Sequence, residues 1–270
     1  MTMVLMLVAG MTLGMLVLMR ARQIYRRDGH WAFLVTRTPW WDRRLTKVDL
    51  DGLPPAMRRW IGWAISEETP LRAVAVIASS RQSRIAPGRI LSCRHVLAFP
   101  HGAVWRLHWA WLGLPAALSL STEPTVQAVT TWRAGFVPIR RAGGLASQAM
   151  LSAQCATEAA VWTPAAFVSA PGVTMEEISP SRVAVAWEAD GTGFRMEVEI
   201  TPHGQPLLLT VEWGSMALMA TPSGFEKHEG RLVARTITFE ARPGSEPPPF
   251  SSARLETIRL VGPFIEHSHV

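Results

Sequence analysis

The sequence predicts an α+β fold: a strongly curved antiparallel sheet of about nine strands, half-barrel-like, with one long helix on its concave side, preceded by an N-terminal transmembrane helix. Three observations predict it. Most of the chain falls into short runs that alternate apolar and polar residues between turn-forming residues. One run near residues 145–166 has helical spacing instead, and the first 19 residues hold no charged side chain.

A chain of 270 residues accommodates one large β-rich domain behind an anchor. Charged residues make up 18% of it, against roughly 25% in an ordinary soluble chain, and the 48% hydrophobic content excludes disorder. Abundant Arg and Ala beside two Lys, and twelve Trp beside one Tyr, match a GC-rich bacterial genome and carry little functional weight. The net charge of +6 is uneven. Residues 1–60 hold 10 Lys and Arg against 4 Asp and Glu, whereas the surplus in residues 61–142 is cancelled by the acidic residues 143–270. A basic surplus confined to the N-terminus argues against a nucleic-acid partner, which would need Arg and Lys clustered on the folded surface with stacking aromatics.

Met1 to Met19 is the uncharged run "MTMVLMLVAGMTLGMLVLM". At about 1.5 Å per residue it approaches the ~30 Å hydrocarbon core of a bilayer. A cleavable signal peptide would carry basic residues before the run and a small-residue site after it, but here Met19 leads directly into Arg20. The run is therefore expected to stay as a single-pass anchor. Arg20, Arg22, Tyr25, Arg26 and Arg27 are the expected membrane-interface residues, and the positive-inside rule favours a cytoplasmic domain. Residues 20–52 read as a basic, Trp-rich juxtamembrane connector, with Trp31, Trp40 and Trp41 either at the headgroups or packed on the domain. A single β-rich domain then spans 53–264, followed by a tail, 265–270.

The domain opens on "LPPAMRRWIGWAI", where Pro55 suits a first helical turn and Met57, Trp60, Ile61 and Ala64 recur at spacings of three and four. Arg58 and Arg59 fall on the polar side. Nine strand-like runs follow, four before the long helix and five after it. In "FRMEVEI", Phe194, Met196, Val198 and Ile200 alternate with Arg195, Glu197 and Glu199, giving one buried and one wet face. Connectors such as "EADGTG" and "TPHGQ" are short, so consecutive strands pair antiparallel as a meander.

The helix at 145–166 contains an oddity. Steps of 100° place Leu151, Cys155, Glu158 and Trp162 on one face, while Ala149, Ala153, Ala156, Ala159 and Ala160 line another. Glu158 thus sits among apolar neighbours, where an unpaired carboxylate costs several kcal/mol or protonates. It is either neutralised by an arginine such as Arg94 or Arg106, or turned to a ligand or acid–base role, or exposed. Leu151, Cys155, Glu158 and Trp162 are the expected ligand-lining set. Pro164 marks the last turn or a kink.

Other candidates for chemistry are weaker. His95 shares its strand side with Leu91, Cys93 and Leu97, which suits a hydrogen-bonded core histidine better than a base, and His108 faces the other way. Glu158 and His95 are the weak catalytic candidates; no catalytic residue is assigned. Cys93 and Cys155 pair if the domain is exported, or remain two buried thiols. His267 and His269 lack supporting ligands, so no metal is expected. Gly143 and Gly144 open the helix without a phosphate-loop or dinucleotide pattern, and no nucleophile elbow or Cys-x-x-Cys occurs, so no cofactor is expected.

The order of "LPPAMRRWIGWAI", Arg-bearing strands, "TEAAVWTPAAFV", the "ADGTG" turn and "GFEKHEG" resembles an uncharacterised bacterial family, domain of unknown function 6544. The resemblance rests on Leu53, Pro54, Arg58, Arg59 and Trp60 in the first block and on Glu158, Ala159, Trp162 and Pro164 in the second, and runs from Leu53 to Gly262. It marks Glu158 and Trp162 without implying a reaction. In general shape the predicted fold is similar to LolA-type half-barrels, by analogy only. The sequence therefore points to a membrane-anchored domain binding a lipid-like or other hydrophobic ligand between sheet and helix. The alternatives are a ligand-free envelope scaffold and an enzyme using Glu158.

Overall fold

Two antiparallel meanders are stitched into one sheet by pairing the first strand with the last. The computed structural model describes residues 2–37, 44–71, 74–84, 88–111, 114–122, 130–133, 137–141 and 147–261. The first meander comprises β1 (Ala75–Ser83), β2 (Ile90–Ala98), β3 (Gly102–Trp111), β4 (Leu114–Ser121), β5 (Thr130–Arg133) and β6 (Val137–Arg141). The second comprises β7 (Thr174–Ser179), β8 (Arg182–Ala189), β9 (Thr192–Ile200), β10 (Pro206–Trp213), β11 (Met216–His228), β12 (Arg231–Ala241) and β13 (Phe250–Leu260). β1 and β13 pair antiparallel from Ala75↔Leu260 to Ser83↔Phe250, leaving β6 and β7 as the outer edges.

The chain must travel from one edge to the other between β6 and β7, and it does so across the concave face as α4 (Gln148–Trp162). This helix contacts β2, β3 and β9 through β12. Those strands span seven spacings in the sheet order, roughly 34 Å if flat at about 4.8 Å per strand, whereas a helix is about 10 Å across. Only a sheet that curls around the helix allows these contacts. The concave core therefore has α4 at its centre, with every residue from Met150 to Trp162 buried.

Among the described residues thirteen strands stand where about nine were predicted. β4, "LPAALSLS", is poor in β-branched residues, and β11 carries Pro222 and Gly224 inside it, features that ordinarily argue against a strand. β7 is an edge strand with no fully buried position, and the last of the four runs predicted before the helix holds both β5 and the start of β6. The long helix is also shorter than 145–166. Ser147 caps it by accepting from the Met150 N–H at 3.1 Å, and Thr163 leaves helical geometry ahead of Pro164, after which α5 (Ala166–Ser169) begins. Gly143, Gly144 and Leu145 lie outside the described residues, as does the 265–270 tail with His267 and His269.

α1 (Thr2–Arg37) is one continuous helix, so the first half of the expected connector is helical. Its C-terminal part packs on the convex face: Leu34 is buried among Val74, Val96, Ala98, Val104 and Val261, with Trp31 and Val35 against them. The expected transmembrane helix is not found, because among the described residues no helix is long and apolar enough to cross a membrane. The side chains of residues 1–5 and 9 lie outside the described set. Of the expected interface residues, Arg22 and Tyr25 are exposed, and the side chains of Arg20, Arg26 and Arg27 lie outside the described residues, as do Trp40 and Trp41.

After α2 (Lys47–Asp51), α3 (Pro55–Ala64) starts at Pro55 as predicted and buries Met57, Trp60, Ile61 and Ala64. Its first turn is tied to the β7 edge by Glu177, which accepts from the Ala56 N–H at 2.8 Å. At the β9–β10 turn, Gly204 has φ +96°, and a Cβ there would lie 2.1 Å from the Arg59 carbonyl oxygen on α3. Gly204→Ala is expected to lose about 2–3 kcal/mol, by strain plus a backbone clash, read as a lowered thermal midpoint.

Candidate functional site

Glu158 meets an arginine, and it is neither of the two expected. Arg94 and Arg106 face each other across β2 and β3 on the convex side, where Arg106 binds Asp28 of α1 at 2.7 Å. The partner is Arg81, on β1. Period two carries Ala75, Ile77, Ser79, Arg81 and Ser83 to the inner face, so the guanidinium enters the core. Its two terminal nitrogens hold the carboxylate bidentately, Nη1 to Oε1 at 2.6 Å and Nη2 to Oε2 at 3.0 Å. This fork geometry is the strong form of the pair.

Three more donors complete the cluster. Gln154 Nε2, one helical turn earlier, donates to Oε1 at 2.9 Å, and Trp105 Nε1 on β3 donates to Oε2 at 3.2 Å. His95 Nε2 on β2 lies 3.2 Å from the same oxygen. A single Nε2 proton goes to Glu158, so the 3.4 Å approach of Arg81 Nη2 to that nitrogen is a contact rather than a second bond. His95 Nδ1 then faces Cys93 Sγ at 3.9 Å, and Arg81 Nε donates to Ser79 at 3.2 Å. Arg81 also lies 4.8 Å over the Phe250 ring, and His95 packs 5.6 Å from Trp162. Gln154 Oε1 is the one buried acceptor of the cluster without a partner.

Burial and pairing set the charges. Burial alone would raise Glu158, but Arg81, aided by the His95 hydrogen bond, holds the carboxyl well below the usual carboxylate range. Burial alone would lower Arg81, and the facing carboxylate reverses that. Burial first and Arg81 second pull His95 down to about 4, so the imidazole is neutral at pH 7. Burial pushes the Cys93 thiol up to about 11 and Cys155 well above its ordinary value. The two cysteines are separate, buried thiols and poor nucleophiles.

Leu151, Cys155, Glu158 and Trp162 are all buried, as is every residue from Met150 to Trp162, and of the four Glu158 and Trp162 bond to strands of the sheet. His95 and Glu158, the two acid–base candidates, are in direct contact. Five donors fill the roughly four lone-pair sites of the carboxylate, and neither Glu158 nor His95 has any exposed surface. No substrate proton can reach either group in this conformation. Leu151, Cys155 and Trp162 are at most 2% exposed, so the space between α4 and this part of the sheet is filled by the chain's own side chains. Trp162 Nε1 pins the end of α4 by donating to the Ala234 carbonyl at 2.8 Å.

Open space lies elsewhere. Aromatic rings run in series through the concave core: Trp60 to Phe167 (5.6 Å between centroids), Phe167 to Phe99 (4.6 Å), Phe99 to Trp187 (5.2 Å), Trp187 to Phe194 (5.1 Å) and Phe194 to Trp213 (6.1 Å). Where β8, β9 and β10 meet beside this series, an open pocket of about 550 Å³ is lined by Thr174, Ala186, Glu188, Gly193, Arg195 and Glu212, together with Trp187, Phe194 and Trp213, which are themselves at most 8% exposed. Sequence reasoning missed it because strand alternation assigns faces, not where neighbouring turns leave space. It missed Arg81 because the first strand-like run, "LRAVAVIAS", stops at Ser79; continuing the same alternation by two residues places Arg81 inside.

No curated protein matches this sequence. Among solved structures, the LolA superfamily protein NE2245 from Nitrosomonas europaea overlaps with a TM-score of 0.38 at 7% identity, over 76% of this chain and 91% of that one. That overlap is too loose to carry an argument about function. The model of a family of unknown function, DUF6544, matches residues 43–212. The match takes in α3, the Arg81–Glu158 cluster and the strands that bound the aromatic pocket, and the chain belongs to this family.

Proposed function

We propose that the protein is a membrane-tethered domain that binds a hydrophobic, lipid-like ligand. The observation that carries the reading is the pocket at Trp187, Phe194 and Trp213. Its size is that of a small-molecule site, roughly 300–1,000 Å³, and Trp187, Phe194 and Trp213 contribute apolar surface to it beside the polar Thr174, Glu188, Arg195 and Glu212. Leu151, Cys155, Glu158 and Trp162 are buried and line none of this pocket, and a ligand reaches them only with α4 displaced.

The tether is supported by α1. Large apolar side chains from Met6 (74% exposed) to Leu18 (71%) are distributed around the whole helix circumference. A contiguous exposed surface of this kind exceeds what a soluble monomer ordinarily tolerates, and all-round apolarity suits lipid better than a one-sided protein groove. In this reading the domain is on the cytoplasmic side, which the positive-inside rule favours for a run followed by Arg20, Arg22, Arg26 and Arg27. Protease digestion of intact versus inverted membrane vesicles tests that: a domain cleaved only in inverted vesicles agrees, and one cleaved from outside overturns it.

The ligand is tested with the full chain purified in mild detergent. Organic extraction and mass spectrometry are expected to yield a stoichiometric hydrophobic molecule. Gly193→Leu, whose Cβ meets no atom within 4 Å, should fill the pocket and abolish that yield with folding intact. A second reading, a ligand-free scaffold, is favoured by the complete burial of Leu151, Cys155, Glu158 and Trp162. An empty wild-type extract, or a yield that Gly193→Leu leaves unchanged, would favour it instead.

A further inference from the structure

We propose that the sheet end bearing Arg84, Arg89 and Ile90 is a contact surface for an anionic phospholipid bilayer, acting beside α1. The proposal rests on the membrane reading of α1 and adds a second, separate contact to it. Its basis is the course of α1 over the convex face. Leu34 lies over Val96, Ala98 and Val104, and nearer the helix N-terminus Asp28 binds Arg106 while the Arg106 guanidinium lies 4.1 Å over the Trp31 ring. Toward its N-terminus, therefore, the helix runs along β3 from Val104 past Arg106 to the end of that strand.

The levels match. Asp28 back to Arg22 is about 9 Å of helix, and Arg106 on to Ala110 is about 13 Å of strand. The apolar half of α1 thus leaves the sheet about where β3 ends. At that end the Arg89 guanidinium donates to the Ala110 carbonyl, and Ile90 beside it is 69% exposed, an apolar side chain left in water. Arg84, just past the end of β1, is exposed as well, and neither arginine has an acidic partner among the described residues. Cations flanking an exposed Ile, level with the point where an apolar helix departs, are complementary to negative headgroups over hydrocarbon.

The test uses the full chain with Ile90→Cys carrying an environment-sensitive fluorophore, the native cysteines being buried. It is reconstituted in phosphatidylcholine vesicles with and without phosphatidylglycerol, doped with a headgroup nitroxide lipid; Leu13→Cys reports on α1 in parallel. Quenching at position 90 in the phosphatidylglycerol vesicles, weaker in neutral ones and reduced by about half or more in Arg84→Glu/Arg89→Glu, is the expected result. Quenching at position 13 but not at position 90 overturns this contact and leaves the α1 reading standing. Quenching at neither overturns both. A blue shift at position 90 without nitroxide quenching means that a protein covers this end, and also overturns the proposal.

Discussion

Glu158→Ala is expected to destabilise the domain by about 3–5 kcal/mol, because it leaves Arg81 charged and fully buried with no counter-charge. Trp105 and Gln154 lose their acceptor in the same step, which puts the effect toward the upper end. Urea titration followed by far-UV circular dichroism should show a midpoint lowered by more than about 1 M. The pair itself need not stabilise the fold. Two charges taken out of water recover their desolvation cost only through good geometry, and apolar replacements of similar size are often tolerated. Arg81→Met/Glu158→Leu should therefore recover part of the loss, the remainder reflecting the orphaned Trp105 and Gln154 donors. A single-variant cost below about 1 kcal/mol would mean that the carboxylate is not the buried partner of Arg81 in solution.

Acid should destabilise the domain well before its carboxylates protonate. His95 titrates near 6.5 in the unfolded chain and at about 4 when folded, held down by burial and by Arg81. Between these values the unfolded chain binds a proton that the folded one does not, so stability falls as pH drops from about 6.5 to about 4. The full difference is worth about 3 kcal/mol as an upper figure. Glu158 acts in the same direction further down. Its folded value is depressed, so its contribution is present above the ordinary carboxylate range and is lost as pH falls below it. His95→Gln, which can still donate to Glu158, should flatten the slope between pH 4 and 6.5 relative to the native chain. Identical slopes in the two proteins would assign the acid sensitivity to other groups.

Much of the fold was legible, for a local reason. Side chains of "FRMEVEI" alternate because successive residues of a strand point to opposite faces, and the buried set Phe194, Met196, Val198 and Ile200 follows directly. α3 was legible from Pro55 and its 3.6-residue period. The face of α4 shared by Leu151, Cys155, Glu158 and Trp162 followed from 100° steps. β4 and β11 were not legible, because their place in the sheet is imposed by neighbours: Pro222 sits opposite Ile237 within a continuous ladder despite its poor strand propensity.

The amino-acid order by itself determined the apolar faces of the strands and helices whose period it shows, several of the turns between them, and that a carboxylate would enter an apolar helix face. Each of these depends on positions a few residues apart. Only the tertiary structure decided what that carboxylate meets. Arg81 and Glu158 are 77 positions apart and come together because β1, paired with β13, closes the two meanders into one sheet while α4 crosses its concave side. Alternation says that Arg81, Arg94 and Arg106 each have a face. Alternation turns Arg81 inward and Arg94 and Arg106 outward, but register and curvature, which no local period encodes, bring Arg81 to Glu158 and set Arg106 against α1.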